Sequence, residues 1–209
     1  MSHSLNRFPR HWFTRLEEAA DEVFYQIPRK VVHLDVDAIA ALRDFYDEHL
    51  EDEWDVLDLM SSWRSHLPKL KPLQVTGLGM NAEELYDNPR LDDFVVHDLN
   101  ASPALPFEDN SFDAALCAVS VQYLTHPIEV FRDVARVLRA GAPFIVSISN
   151  RCFPTKAVRV WRETNDQKHI QLVAGYLQAS QMFTEIQAED HSPDPYVSDP
   201  LFIIWGYAQ

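Results

Sequence analysis

Glycine is scarce in this chain of 209 residues. Only Gly77, Gly79, Gly141, Gly175 and Gly206 occur, so a turn that needs several glycines close together is absent or altered here. Cysteine is rarer still. Cys117 and Cys152 are too few for a disulfide framework and fit a reducing, cytoplasmic setting. Positive charge is also in short supply: 18 Lys and Arg stand against 32 Asp and Glu, a net charge of −14. A field of that sign repels phosphate backbones, which argues against nucleic acid as a partner. No apolar run approaches the ~20 residues of a membrane helix. The opening MSHSLNRFPRHWF has no apolar segment of signal-peptide type, and Glu17, Glu18, Asp21 and Glu22 speak against a transit peptide.

What is present is a globular composition, 46% hydrophobic, in a chain long enough for one domain with a sizeable core. The first fifty residues read as helical. Trp12, Leu16, Ala19, Ala20 and Val23 recur at helix spacing, and after Pro28 a second helix opens on Asp35 or Asp37 as N-cap, with Ile39, Leu42, Phe45, Tyr46 and Leu50 on one face. From Trp54 the pattern changes to strands alternating with helices. The strand segments are WDVLDLM, LQVTGLGM, DFVVHDL, FDAALCAVSV and APFIVSISN, with MFTEIQAED and PLFIIWGYA closing as a hairpin. Helices are predicted from Ser61 to Pro68, from Asn81 to Tyr86, over PIEVFRDVARVLRAG with Gly141 as its stop, and from Thr155 to Ala179. Repeated strand–helix units imply a parallel sheet covered on both faces. The expected fold is therefore α/β: a Rossmann-like, mostly parallel seven-stranded sheet with an antiparallel last strand. Residues 1–53 form an N-terminal helical lid and residues 54–209 the sheet domain.

Ligands of such sheets sit beyond the carboxyl ends of the strands. The residues there are Asp58, Met60, Ser61 and Ser62 after the first strand, and Gly79, Met80 and Asn81 after the second. Asp98, Leu99 and Asn100 follow the third, and Ser120, Gln122 and Tyr123 the fourth. Parallel strands bring all four groups to one crevice.

The segment HDLNASPALPFEDNSFDAALCAVSVQYLTHPIEVFRDVARVLRAGAPFIVS resembles the class I S-adenosylmethionine-dependent methyltransferases, in particular the type 11 branch. The resemblance runs from about Trp54 to Gln209. It implies S-adenosylmethionine as cofactor, with Asp98 in the place of the acid that accepts from the adenine amino group. It also implies two departures. Met60, Ser62 and Arg64 stand where the family's first-strand loop has three glycines, and Gly79 stands where the family has an acid for the ribose hydroxyls.

Two readings of this altered loop stay open. In one, the hydroxyls and amides of Ser61 and Ser62 make an anion site at a helix start, Arg64 reaches a carboxylate with its fork, and Asn81 serves a ribose hydroxyl. In the other, Met60 fills the pocket, Ser62 only caps the helix and Arg64 lies on the surface. Over the crevice, Tyr25, Arg29 and His33 of the lid, with Gln122 and Tyr123, are candidates for positioning an acceptor. Tyr25, His33, Gln122 and Tyr123 are the catalytic candidates, because methyl transfer depends on alignment and water exclusion more than on a strong base. The acidic surface points to a small-molecule acceptor. The alternative is a catalytically inactive methyltransferase-like protein that binds or regulates a partner. A nicotinamide-dependent enzyme is disfavoured, since no G-x-G-x-x-G turn follows the first strand. The set His33, Asp35, Asp37 has metal-like spacing, but Asp35 is explained as a helix cap, so no metal is expected.

Overall fold

The apolar segments from Trp54 onward become seven strands in a computed structural model that describes residues 8–209. They are β1 (Asp55–Leu59), β2 (Gln74–Gly79), β3 (Asp93–Val96), β4 (Ala114–Ala118), β5 (Pro143–Ile148), β6 (Phe183–Asp190) and β7 (Phe202–Ala208). They form one sheet in the order β3-β2-β1-β4-β5-β7-β6. The first five are mutually parallel, whereas β7 runs antiparallel to both of its neighbours. The expected sheet is thus the observed one. The leader reading of Met1 to Arg7 lies outside the described residues.

The central strands are apolar on both faces because both faces are covered. Leu57, Leu59, Ala115, Cys117, Phe144 and Val146 point into one core cluster; Val56, Ala114, Leu116 and Ile145 point into the other. The first cluster is closed by α4 (Pro127–Val137) and α6 (Asp166–Ser180) through residues such as Phe131, Val134, Val173 and Leu177. The second is closed by α2 (Val36–His49) through Ala38, Leu42, Phe45 and Tyr46. Asp35 caps α2, accepting from the amides of Asp37 (3.1 Å) and Ala38 (2.9 Å). Its other oxygen takes the amide of Asp199 at 2.5 Å, so this carboxylate is fully engaged in structure.

Four helix boundaries differ from the sequence pattern. The predicted first helix is a 3₁₀ turn (Arg10–Phe13), an irregular stretch and the short α1 (Asp21–Tyr25). The irregular stretch is tied down by backbone bonds, Glu17 donating to Thr155 and Thr14 accepting from Arg159. The predicted helix from Ser61 to Pro68 does not form; residues 61–73 run without regular structure. The helix predicted from Thr155 divides into α5 (Arg159–Arg162) and α6, because the Asn165 side chain caps a new start by accepting from Lys168. Finally, α4 ends at Val137, four residues before Gly141. Leu138 leaves the helix to bridge Phe112 beside the sheet, while Gly141 turns the chain toward β5 with φ of 83°.

Asp21, Tyr25, Arg29 and His33 border the cavity at the carboxyl ends of the strands, whereas α2 packs in the second core cluster.

Candidate functional site

One cavity lies where β1, β2, β3 and β4 end, under the segment carrying α1. Asp58, Met60, Ser61, Ser62 and Arg64 line it from the β1 side, and Gly79, Met80 and Asn81 from β2. Asp98, Leu99 and Asn100 line it from β3, and Ser120 and Tyr123 from β4. Tyr25 and His33 close it from above. Gln122 is the exception among the predicted residues. Its side chain is buried away from the cavity, with Nε2 donating to Val119 O at 2.7 Å. All three residues of the 3₁₀ turn Val121–Tyr123 are buried, but only Tyr123 borders the cavity.

The loop after β1 keeps a glycine-like backbone without glycine. Met60 has φ of 58°, and Val119, the residue that follows β4, has φ of 43°. For a β-branched side chain that conformation is costly, of order 1–3 kcal/mol, and it occurs here at the two adjacent strand ends that floor the cavity. The Met60 side chain leans on the core cluster that contains Leu99 and Leu124 and borders the cavity.

Beyond Met60 the polar groups already have partners. Ser61 donates its amide to Leu78 O (2.8 Å) and its hydroxyl to Asp58 Oδ2 (2.6 Å). Ser65 donates to the same oxygen. Burial pushes the Asp58 carboxyl above its usual range, and these two hydroxyls offset part of that. Ser62 donates to Glu84 at 2.5 Å. The Arg64 guanidinium lies over the Trp63 ring at 4.0 Å and donates to the carbonyls of Trp63 and Asp87. The helix-start anion site expected at Ser61 and Ser62 is therefore not formed, because no helix follows. Asn81 is likewise engaged: Oδ1 accepts from the Glu84 amide, and Nδ2 donates to the carbonyls of Tyr25 and Gln26.

Gly79 has a tight packing role. A Cβ built there would lie 2.2 Å from the carbonyl oxygen of Ser61. The loop after β1 thus occupies the space a side chain at the end of β2 would need.

The β3 side is more open. Asp98 Oδ1 accepts from the amides of Asn100 (2.8 Å) and Ala101 (3.2 Å), leaving Oδ2 without a partner among the described residues. Asn100 is a junction. Nδ2 donates to Asp21 Oδ2 (2.8 Å) and Tyr123 O (2.9 Å), and Oδ1 accepts from the Thr125 amide.

The roof is aromatic. Phe153 packs edge-on to His33 (4.6 Å) and Phe24 (5.7 Å) and stacks near Tyr123 (6.0 Å). Tyr123 Oη accepts from the Phe153 amide at 2.8 Å. Burial raises the phenols of Tyr25 and Tyr123 above the usual tyrosine range. Burial, with Arg151 adding, holds His33 below the usual imidazole range. Tyr25, Tyr123 and His33 are thus neutral near pH 7, and the charge of this wall comes from Arg29, whose guanidinium lies 3.9 Å over the Phe24 ring.

Among the cavity residues that sequence reasoning missed are Glu84, His66 and Phe153. Glu84 is the third residue of α3 (Ala82–Tyr86), a helix the sequence placed from Asn81 to Tyr86 without assigning its faces. His66 sits in the segment read as a helix. Burial, with Arg43 adding, lowers it to about 4.

The comparisons with known proteins follow this geometry. The family described as a methyltransferase domain matches residues 63–146. The solved structure of the (4+2) cyclase SpnF is 18% identical, with TM-score 0.60 over 80% of each chain. This is the class I methyltransferase fold. A SAM-dependent methyltransferase from Methanosarcina mazei shares 16% identity, with TM-score 0.53 over 78% of this chain and 96% of that one. The phosphoethanolamine N-methyltransferase 2 of Haemonchus contortus, solved with S-adenosylmethionine, shares 13%, with TM-score 0.55 over 82% and 52%. A curated relative, the biotin biosynthesis bifunctional protein BioHC of Teredinibacter turnerae, is 24% identical over 94 residues. That match takes in 45% of this chain and 16% of the relative. Among the described residues of this methyltransferase-fold chain, no helix is long and apolar enough to cross a membrane.

Proposed function

We infer that the chain binds S-adenosylmethionine in this cavity and transfers a methyl group to a small-molecule acceptor held beneath the aromatic roof. The observation that carries the reading is the meeting of four strand ends in one cavity, with the free Asp98 oxygen beside the apolar Met80 and Leu99. That set fits a flat, amine-bearing base between apolar surfaces. In this reading Asp98 takes the adenine amino group, Leu99 and Met80 flank the ring, and Asn100 and Ser120 hold the walls. Asp58, Met60, Ser61, Ser62, Arg64, Gly79 and Asn81 shape the end nearest β1 and β2.

When bound, the cofactor supplies an electrophilic methyl group on a sulfonium. The chain's own residues exclude water and align the acceptor. Tyr25, Tyr123 and Phe153 present uncharged aromatic surface, and neutral His33 offers a ring nitrogen to the proton the acceptor loses. Gln122 holds the β4 turn from behind and acts through Tyr123. The acidic surface supports a small acceptor, and the low cysteine content a cytoplasmic setting.

One observation favours a second reading, a chain that keeps the fold for binding or regulation without turnover: the polar side chains of Ser61, Ser62 and Arg64 are already occupied. Isothermal titration with S-adenosylmethionine and S-adenosylhomocysteine tests the first reading. Saturable binding below millimolar concentration, with a rise in melting temperature, is expected. No heat and no thermal shift at millimolar ligand removes it. Binding without methyl transfer to any of a panel of amines, phenols and thiols favours the second.

A further inference from the structure

Glu84 is buried, 7% exposed, and lines the cavity between the ends of β1 and β2. Its side chain has no Lys, Arg or His within ion-pair distance among the described residues. Oε2 accepts from the Ser62 hydroxyl at 2.5 Å, and Oε1 accepts from the Arg29 amide. Each carboxylate oxygen has two lone pairs, so each keeps one acceptor position open. A buried acidic group without a cation is costly unless donors complete it. Its polar neighbours are committed: Asn81 and Arg64 donate elsewhere, and the Ser62 hydroxyl already donates to Oε2. A helix position that normally closes back on its own N-cap is here aimed into the cavity.

We propose that Glu84 is the acceptor for a pair of adjacent hydroxyl groups on the ligand, which makes the ribose diol of a nucleoside the feature that this end of the cavity reads. The inference rests on the nucleoside-binding reading above. It explains how the site lacks an acid at the end of β2, where the Ser61 carbonyl leaves no room for a side chain at Gly79. The carboxylate comes from one turn into α3. Because Glu84 also holds the Arg29 amide of the covering segment, a diol at this point is felt directly by the roof.

The test is isothermal titration of wild type, Glu84→Gln and Glu83→Gln with S-adenosylhomocysteine and its 2′-deoxy analogue. Glu83 lies on the same helix, is exposed and pairs with Lys30 outside the cavity, so it controls for charge and for attachment of the covering segment. Wild type and Glu83→Gln are expected to prefer the ribose form by about tenfold or more, as a charge-assisted hydrogen bond predicts. Glu84→Gln is expected to bring the two ligands to within about twofold, because an amide accepts more weakly. If Glu84→Gln does not fold, Glu84→Asp, which withdraws the carboxylate by one methylene, is expected to cut the preference in the same direction. Equal weakening of both ligands by Glu84→Gln, or an intact preference, overturns the proposal while leaving nucleoside binding standing. Absence of any wild-type binding removes the nucleoside reading itself and the inference with it.

Discussion

Two glycines separate two causes of glycine dependence. At Gly79 the backbone is ordinary, but a Cβ meets the Ser61 carbonyl oxygen at 2.2 Å. A backbone atom cannot rotate aside as a side-chain tip can, so strand or loop must shift. At Gly141 a Cβ meets nothing within 4 Å, and only the φ of 83° disfavours a side chain. Gly79→Ala is therefore expected to cost about 2–3 kcal/mol, in the range of overpacked cores. Gly141→Ala is expected to cost about 1 kcal/mol, the left-handed penalty alone. Urea unfolding of the two variants checks the order; a smaller loss at Gly79 than at Gly141 would mean the loop after β1 yields easily. A yielding loop would also reopen the end of β2 to an acidic side chain, which the present packing forbids.

At the scale of elements, the covering segment is held by a buried charge cluster. Asp21 accepts two bonds from the Arg15 guanidinium (2.7 and 2.8 Å), one from Asn100 and an ion pair from Lys156 (3.0 Å). Lys156 is fully buried and also donates to Ala19 O. Burial alone raises the Asp21 carboxyl, but Arg15, Asn100 and Lys156 outweigh it and hold it below its usual range. Asp21→Asn leaves Arg15 and Lys156 with only the longer pairs to Glu18 and Glu17, each 3.9 Å, whereas Lys156→Met leaves Arg15 and Asp21 still paired. The first is expected to open the segment by on the order of 3 kcal/mol, the second by much less. Limited trypsin cleavage at Arg29 and Lys30 reads the difference, with the sheet amides remaining protected against hydrogen exchange. Similar cleavage in both variants would show that the cluster does not hold the roof. None of this clamp was legible in the sequence, since Arg15 and Asp21 sit at no helix or strand spacing and Lys156 is 135 residues further on. The strands were legible because burial on both faces writes itself as continuous apolar runs. The strand ends followed from them, and with those the polar residues that follow β1 to β4. The segment Ser61 to Pro68 misled because helix spacing ignores tertiary partners. Ser61 and Ser65 turn their hydroxyls onto buried Asp58, and Arg90 donates to Pro68 O, which holds that chain out of a helix. Glu84 was missed because a five-residue helix shows too little periodicity to say which of its residues faces a ligand space.

At the scale of the whole molecule, two effects of acidification oppose each other. With a net charge of −14, protonation relieves self-repulsion and favours the compact state. Against this, His66 is held at about 4 by burial first and by Arg43 second. Its ordinary value is 6.5, so between these two values the unfolded chain takes up a proton that the folded chain refuses. Stability from His66 is complete above pH 6.5 and is lost as the pH falls toward 4. A depression of that size corresponds to about 3 kcal/mol across the window, more than the modest effects expected of exposed charges. The histidine effect should therefore win, and the chain should lose stability on acidification despite its acidic surface. His66→Gln removes the titration without changing the charge at pH 7. Urea unfolding at pH 7.5, 5.5 and 4.5 is expected to show a variant whose decline is shallower than that of wild type by about 2 kcal/mol. Parallel declines would place His66 in contact with solvent, and the cavity wall after β1 would then have to open in the native state for the ring to titrate.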